Sequence, residues 1–269
     1  MFRIALSVEY DGTNYYGWQS QKNTNLPTIQ QQLEVAISRV ANHKVSIICA
    51  GRTDAKVHAM FQVLHFDTTV QRKMDSWIFG INSYLPLDIR VLSAQSMPLE
   101  FHARRSALYR TYNYFIYNSK IKPSLFRNYI TWQYKNLNVD IMQEASCFLV
   151  GEHDFRSFRG KDCQSKTTIR NVHNIKCHRQ QKLIKISITA NAFLKHMVRN
   201  IVGVLLHVGQ GKGNPSLIKD ILLAKDRKAA FITAPPEGLY LTAVGYKEPF
   251  KQLIQNEQFS QFARFGFVE

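Results

Sequence analysis

The stretch from residue 191 to residue 208 sets the hardest constraint on how this chain can fold. Phe193, Leu194, Met197, Val198, Ile201, Val202, Leu205 and Leu206 give it a broad apolar surface at helical spacing, which has to be buried. The same stretch holds Lys195, His196, Arg199, Asn200 and His207. So many polar groups rule out a bilayer span. A helix that carries Arg199 into an interior must also bring it to an anion, because an unpaired buried charge is costly. The glycines of Gly209-Gln210-Gly211-Lys212-Gly213 are a natural stop for it.

The other elements read as an α+β chain. A strand is expected over residues 2–9 and a helix over 28–40, with Thr28 as cap and Leu33, Ile37 and Val40 on one stripe. Strands at 44–50 and 57–67 follow, then a helix near 71–84 that Leu85-Pro86 closes. A similar order begins again at the aromatic strand 109–117, with a helix at 138–150, strands near 167–178 and 183–190, the helix 191–208, a helix at 215–225 and a strand at 239–246. The reading is of two similar α+β halves with mainly antiparallel sheets: residues 1–105, residues 106–246, and a polar tail from 247 to 269. Their junction lies near residues 96–107, and a cleft is expected between them.

Charge points to the partner. The chain has 35 Lys plus Arg against 19 Asp plus Glu, a net charge of +16. Each phosphate that a cation neutralises releases condensed counterions, so such a chain gains affinity for nucleic acid whatever the sequence. A membrane surface would instead call for an amphipathic basic helix or an anchor, and none is evident. The first ten residues alternate as a strand and lack a signal-peptide core, so a cytoplasmic location is expected. Cys49, Cys147, Cys163 and Cys177 form no C-x-x-C pair and match no zinc spacing, so free thiols and no metal are expected.

Between the strands at 44–50 and 57–67 stands Gly51-Arg52-Thr53-Asp54-Ala55. Gly51 permits a tight turn, and the turn presents its side chains outward at a strand end. Arg52, or a cation from elsewhere, would favour the ionised carboxylate that a nucleophile or base needs. On local physics the simpler account is an Asp-containing turn with a structural Arg pair.

More of the chain alters that balance. The turn continues into Val57-His58-Ala59 and Gln62-Val63-Leu64-His65-Phe66, and together these residues resemble the active-site segment of the bacterial tRNA pseudouridine synthase A family. Tyr10-Asp11-Gly12-Thr13-Asn14-Tyr15-Tyr16-Gly17-Trp18-Gln19, Phe101-His102-Ala103-Arg104 and Cys163-Gln164-Ser165-Lys166-Thr167 look like further family blocks. So do Asn191-Ala192-Phe193 with His196-Met197-Val198-Arg199-Asn200-Ile201-Val202-Gly203, and Glu237-Gly238-Leu239-Tyr240-Leu241. All stand in the family's order, over residues 3 to 246.

The resemblance implies roles. It makes Asp54 the nucleophile, Tyr112 the ring that stacks on the target uracil, and Arg199 the cation facing Asp54 across the cleft, with Arg52 also binding substrate. A base–aromatic stack is worth roughly 1–3 kcal/mol. It further implies targets at uridines 38, 39 and 40 of the tRNA anticodon arm, a homodimer with tRNA across both subunits, and an isomerisation that needs no cofactor. Candidates for phosphate contact are Arg104, Arg110, Arg156, Arg159, Lys166 and Arg170. Lys56 stands where the family usually has glycine; a positive φ there would strain a lysine by about 1 kcal/mol or more. Two rival readings use the same residues: a non-catalytic RNA chaperone, which gives Asp54 no role, and a metal-dependent nuclease built on Asp11 and Asp54, around which acidic residues are sparse.

Overall fold

The structure is a computed structural model that describes residues 1–20, 26–161, 163–230 and 232–254. In chain order the first elements are β1 (Phe2–Tyr10), α1 (Ile29–Ala41), β2 (Ile48–Cys49), β3 (His58–Thr68), α2 (Met74–Tyr84) and β4 (Ile89–Met97). There follow β5 (Ala107–Asn118), β6 (Thr131–Gln133), α3 (Val139–Cys147), β7 (Gly151–Asp154), a 3-10 turn at Phe155–Phe158, β8 (Ile169–Gln180) and β9 (Leu183–Ala190). The chain continues through α4 (Met197–Gly209), α5 (Leu217–Ala224), a 3-10 turn at Arg227–Ala230, β10 (Leu239–Tyr246) and α6 (Phe250–Leu253). Of the tail expected from residue 247, residues 255–269 lie outside the described residues.

The strands form one 10-stranded sheet, ordered β4-β1-β3-β10-β5-β9-β8-β7, with β2 on β3 and β6 on β5. Pairing is antiparallel except for β10 with β3 and β6 with β5. The two halves anticipated from the sequence are visible as a repeated motif, β1 between β3 and β4, and β5 between β9 and β10. They meet where β10 runs parallel to β3 through Tyr240 opposite His58 and Leu241 opposite Ala59. We retain the division near residue 105 as a proposal.

Local chemistry accounts for most element ends. Thr28 caps α1 by accepting from the Gln31 amide, and Asn42 closes that helix in the left-handed region at φ 54°. Leu85, before proline, is extended and ends α2. β4 was not expected, although Ile89, Val91, Ala94 and Met97 are buried along it. The strand expected over 44–50 shrinks to two residues. The helix expected from residue 191 starts only at Met197, because His196 has φ 62° and ψ 0°, a left-handed conformation that no α-helix can continue through. From there α4 is buried almost all round, as its apolar surface requires. None of the helices is long and apolar enough to cross a membrane, among the described residues.

His65 lies buried on β3, where its Nδ1 accepts a hydrogen bond from the Ala103 amide at 3.2 Å. Burial first, then the charges of Arg3 and His102, lower its pKa to about 4. The unfolded chain, with an ordinary histidine near 6.5, therefore binds an extra proton between those values. Stability from this residue is complete above pH 6.5 and is lost as pH falls toward 4. Urea unfolding should show it costing on the order of 2 kcal/mol at pH 5 relative to pH 7.5, and His65→Gln should remove that part of the pH dependence.

Candidate active site

Asp54 is held on a turn whose backbone is fixed from every side. Ala50 donates to Val63 O at 2.7 Å as the last rung of the strand. The buried amide of Gln62 then brackets Gly51, accepting from its N–H at 3.2 Å and donating to its carbonyl at 2.5 Å. Thr53 Oγ1 meets the Tyr10 hydroxyl at 2.8 Å, and Thr53 O accepts from the Trp18 amide at 3.0 Å. Val57 N–H closes the turn on Asp54 O at 3.2 Å.

The loop between β1 and α1 presses against the far side of the turn. A Cβ on Gly17, at φ 91°, would lie 2.9 Å from Thr53 O and 3.1 Å from the Asp54 carbonyl carbon. A Cβ on Gly12 would meet Val57 O at 2.1 Å. Neither position accepts a side chain without moving the turn. Lys56 donates to Tyr15 O at 3.2 Å and has φ 63°, so the strain foreseen for a lysine here is present.

From the second half α4 and the residue that precedes it deliver two side chains to the same carboxylate. Arg199 Nη1 is 3.3 Å from Asp54 Oδ2, and His196 Nε2 is 3.6 Å from the same oxygen. Arg199 is fixed in turn by its Nε, which donates to Ala234 O at 2.8 Å, while its own carbonyl accepts from the Ala234 amide. That approach depends on Gly203, where a Cβ would stand 2.3 Å from Ile232 O. The Asp54 side chain keeps 21% of its surface exposed, so it is pinned at one oxygen and still open to a ligand. Burial, opposed by Asp54 and reinforced by Arg199, Lys195 and Arg227, lowers the pKa of His196, which is neutral at pH 7.

Tyr112 on β5 points at the turn from below, and a Cβ on Gly51 would sit 3.5 Å from its hydroxyl. Burial and the charge of Asp54 push its pKa above the usual phenol value. Only 7% of the residue is exposed, and Phe193 stands edge-on to its ring at 5.0 Å. Stacking a uracil on Tyr112 therefore requires a neighbour to give way, and Phe193 is the one in ring contact.

The remaining predicted residues divide into surface cations and buried ones. Arg52 is exposed beside Arg104, and the groups that meet Asp54 are the Arg199 guanidinium and the His196 imidazole rather than Arg52. Arg104, Arg156 and Lys166 are exposed and Arg159 is half-buried, as groups available to phosphate should be. Arg110 and Arg170 are not of this kind, and both have to be withdrawn as phosphate contacts. Arg110 is 7% exposed and makes five hydrogen bonds, two to Ala50 O and one each to Arg104 O, Ala107 O and Asn191 O. Arg170, equally buried, donates to Thr167 O, Ile169 O and Ser165 Oγ. The Arg110 fork satisfies backbone carbonyls alone, while that of Arg170 meets two carbonyls and one hydroxyl and leaves its buried Nε without a partner.

Asp11 does not join Asp54. Its carboxylate accepts from Thr13 Oγ1 at 2.6 Å and from the Tyr129 hydroxyl at 2.9 Å, beside His58. That arrangement gives no support to a shared metal site. Cys49, behind the turn, has its thiol pushed up to about 11 by burial, against the opposing charges of Arg104 and Arg52. It is thus an inert packing group. The sequence reading did not single out His196. The available signal was a polar residue directly preceding the apolar run of α4.

A family model described as tRNA pseudouridine synthase matches residues 6–104 and 145–247. A tRNA pseudouridine synthase A of Legionella pneumophila (strain Lens) is 53% identical over 254 residues, 94% of this chain and 96% of that protein. One of Coxiella burnetii (strain Dugway 5J108-111) is 49% identical over 251 residues, 93% of this chain and 95% of that protein. With its mixed sheet and its mainly antiparallel pairing, the fold is that of a pseudouridine synthase. The chain belongs to the tRNA pseudouridine synthase A family. Asp54, His196 and Arg199 fall inside the matched segments, whereas Tyr112 falls between them.

Substitutions at two positions test this account of the site. Lys56→Gly should raise stability by about 0.5–1 kcal/mol, and Lys56→Val should lower it by about 1–2 kcal/mol, in urea unfolding. Arg110→Met should cost about 3 kcal/mol by leaving buried carbonyls unpaired, yet leave the salt dependence of RNA binding unchanged.

Proposed function

We propose that this chain, a tRNA-modifying isomerase, converts uridine to pseudouridine at positions 38, 39 and 40 of the anticodon arm, with Asp54 as nucleophile. The observation that carries the reading is the Asp54 carboxylate, partly open, on a turn held by hydrogen bonds and paired with Arg199 at 3.3 Å. A carboxylate anchored at one oxygen has the other available for attack. Overall, the bond from ribose C1′ to N1 breaks and one from C1′ to C5 forms, while a proton leaves C5 and N1 gains one. Electrons balance without a redox partner, so the reaction asks for a nucleophile, a fixed base and exclusion of water.

Each residue then has a task. Asp54 attacks the bound nucleoside, and Arg199 neutralises the carboxylate and fixes its direction. Tyr112 offers its ring to the extruded uracil, and Arg52 binds substrate from the rim. Arg104, Arg156, Arg159 and Lys166 take phosphates of an arm that is recognised mainly by shape. The chain acts in the cytoplasm as a homodimer with tRNA across both subunits. Its net charge of +16 favours that encounter.

Tritium release from tRNA carrying 5-tritiated uridine tests the proposal. The unmodified protein should release tritium, and tRNA with cytidine at positions 38 to 40 should release none. Asp54→Ala should lower release by roughly a thousandfold or more, with tRNA affinity kept within about threefold. No release from any tRNA, or undiminished release by Asp54→Ala, would sink the reading.

A further inference from the structure

The geometry points to His196 as a positioning residue for Asp54: its imidazole and Arg199 together hold Oδ2, so that Oδ1 alone is presented to the reacting nucleoside. The inference rests on Asp54 being the nucleophile and goes beyond it by naming a second side chain that orients it.

Three observations carry it. Both cross-cleft groups converge on the same oxygen, Arg199 Nη1 at 3.3 Å and His196 Nε2 at 3.6 Å. The second distance is just outside hydrogen-bond range and closes with a movement of about 0.5 Å, the kind of tightening that substrate binding produces in catalytic contacts. Next, His196 has φ 62° at the residue preceding α4, a left-handed conformation that is strained for a residue with a side chain. The usual reason for a polar residue at that place is to cap the helix, and the His196 side chain makes no capping hydrogen bond. Its conformation aims the ring at Asp54 instead.

The third observation is the platform under the ring. A Cβ on Gly160 would stand 3.1 Å from His196 Nδ1 and 3.2 Å from Cγ. Gly160 is held there by donating to Lys195 O at 2.7 Å, while Asn200 Nδ2 on α4 donates to Phe158 O at 2.6 Å. The segment that ends the 3-10 turn at Phe155–Phe158 is thus docked on the start of α4 and supports the imidazole from behind.

The chemistry explains why an imidazole suits the position. A carboxylate oxygen accepts more than one hydrogen bond. Arg199 already supplies a full positive charge, and a second one would stabilise the carboxylate further and weaken it as a nucleophile. A neutral imidazole with its proton on Nε2 directs the carboxylate without adding charge. Burial, joined by the charges of Arg199, Lys195 and Arg227 and opposed by Asp54, holds the pKa of His196 below the ordinary histidine value, which favours the neutral ring.

The test compares single-turnover tritium release at saturating protein, tRNA Kd and thermal midpoint for wild type, His196→Ala, His196→Gly and His196→Gln. The Ala and Gly variants should react about 10- to 100-fold more slowly, with Kd within about twofold of wild type. His196→Gly, which relieves the left-handed strain, should melt at or above the wild-type temperature while reacting slowly. A residue that only supports the fold would lose rate and stability together. His196→Gln, which places an amide donor near Nε2, should recover to within about fivefold of wild type. Wild-type rates in the Ala and Gly variants would overturn the assignment. So would a Gly variant with lowered midpoint and weakened Kd, or a Gln variant no faster than Ala. Release by wild type and its loss in Asp54→Ala establish the nucleophile in the same series, so failure of the two readings is told apart.

Discussion

The arrangement around Asp54 depends on one buried guanidinium. Arg110 reaches out from β5 with five donors and satisfies all of them on main-chain carbonyls. Those carbonyls belong to Ala50, which leads into the Asp54 turn, to Arg104 and Ala107 in the connection between the halves, and to Asn191, where the chain leaves β9 for α4. A cation without an anionic partner is an expensive thing to bury, and it is stable here because every N–H has an acceptor. Its geometry is equally important. A planar fork on a central strand ties the end of β2 to the approach to α4, the two segments that lead to Asp54 and Arg199.

The rest of the site follows from placing three separate stretches against that tie. The loop after β1 supplies the wall of the turn, and it can come so near only because Gly12 and Gly17 lack side chains. α4 supplies the cation, and the close contact between Gly203 and the 232–234 backbone lets Ala234 fix Arg199 at both its carbonyl and its Nε. β5 supplies the floor with Tyr112. These contacts bridge wide separations in sequence: Asp54 and Arg199 are 145 positions apart. The site therefore exists only in the completed sheet, where β10 joins β3 to β5. No fragment of the chain holds the constellation.

This distribution explains what could be read from the residues alone. Period and punctuation revealed α1, α2 and β3 because their signals are local: Thr28 as cap, the Leu85-Pro86 stop, and apolar runs of strand length. The need of Arg199 for an anion was legible too, since a charge in an apolar helix is a statement about its surroundings. The identity of Arg110 and Arg170 as interior clamps was not. An arginine on a strand looks the same whether its fork meets phosphates or carbonyls, and only tertiary structure decides. β4 was missed for a related reason, because its apolar residues Ile89, Val91, Ala94 and Met97 keep strand period imperfectly. The late start of α4 was hidden by a helical pattern that runs back through residues whose backbone departs from it.

Five residues other than glycine have positive φ among those described: Asn42, Lys56, Gln181, His196 and Lys225. Three have ordinary reasons. Asn42 and Lys225 terminate helices, and Gln181 turns the hairpin between β8 and β9. Lys56 and His196 have no such reason, and they flank the same carboxylate from opposite halves, one two residues after Asp54 and the other facing its Oδ2. Strain of this kind persists only where surrounding contacts over-determine the backbone. At Lys56 those contacts are the Tyr15 carbonyl and the turn closed by Val57; at His196 they are the Gly160 platform and the first turn of α4. The two strained residues thus mark where the fold gives up local stability to hold Asp54 in a chosen direction. Such a frame suits the nucleophile proposed for Asp54, which would have to be held at one angle, whereas a carboxylate that merely closed a turn would not.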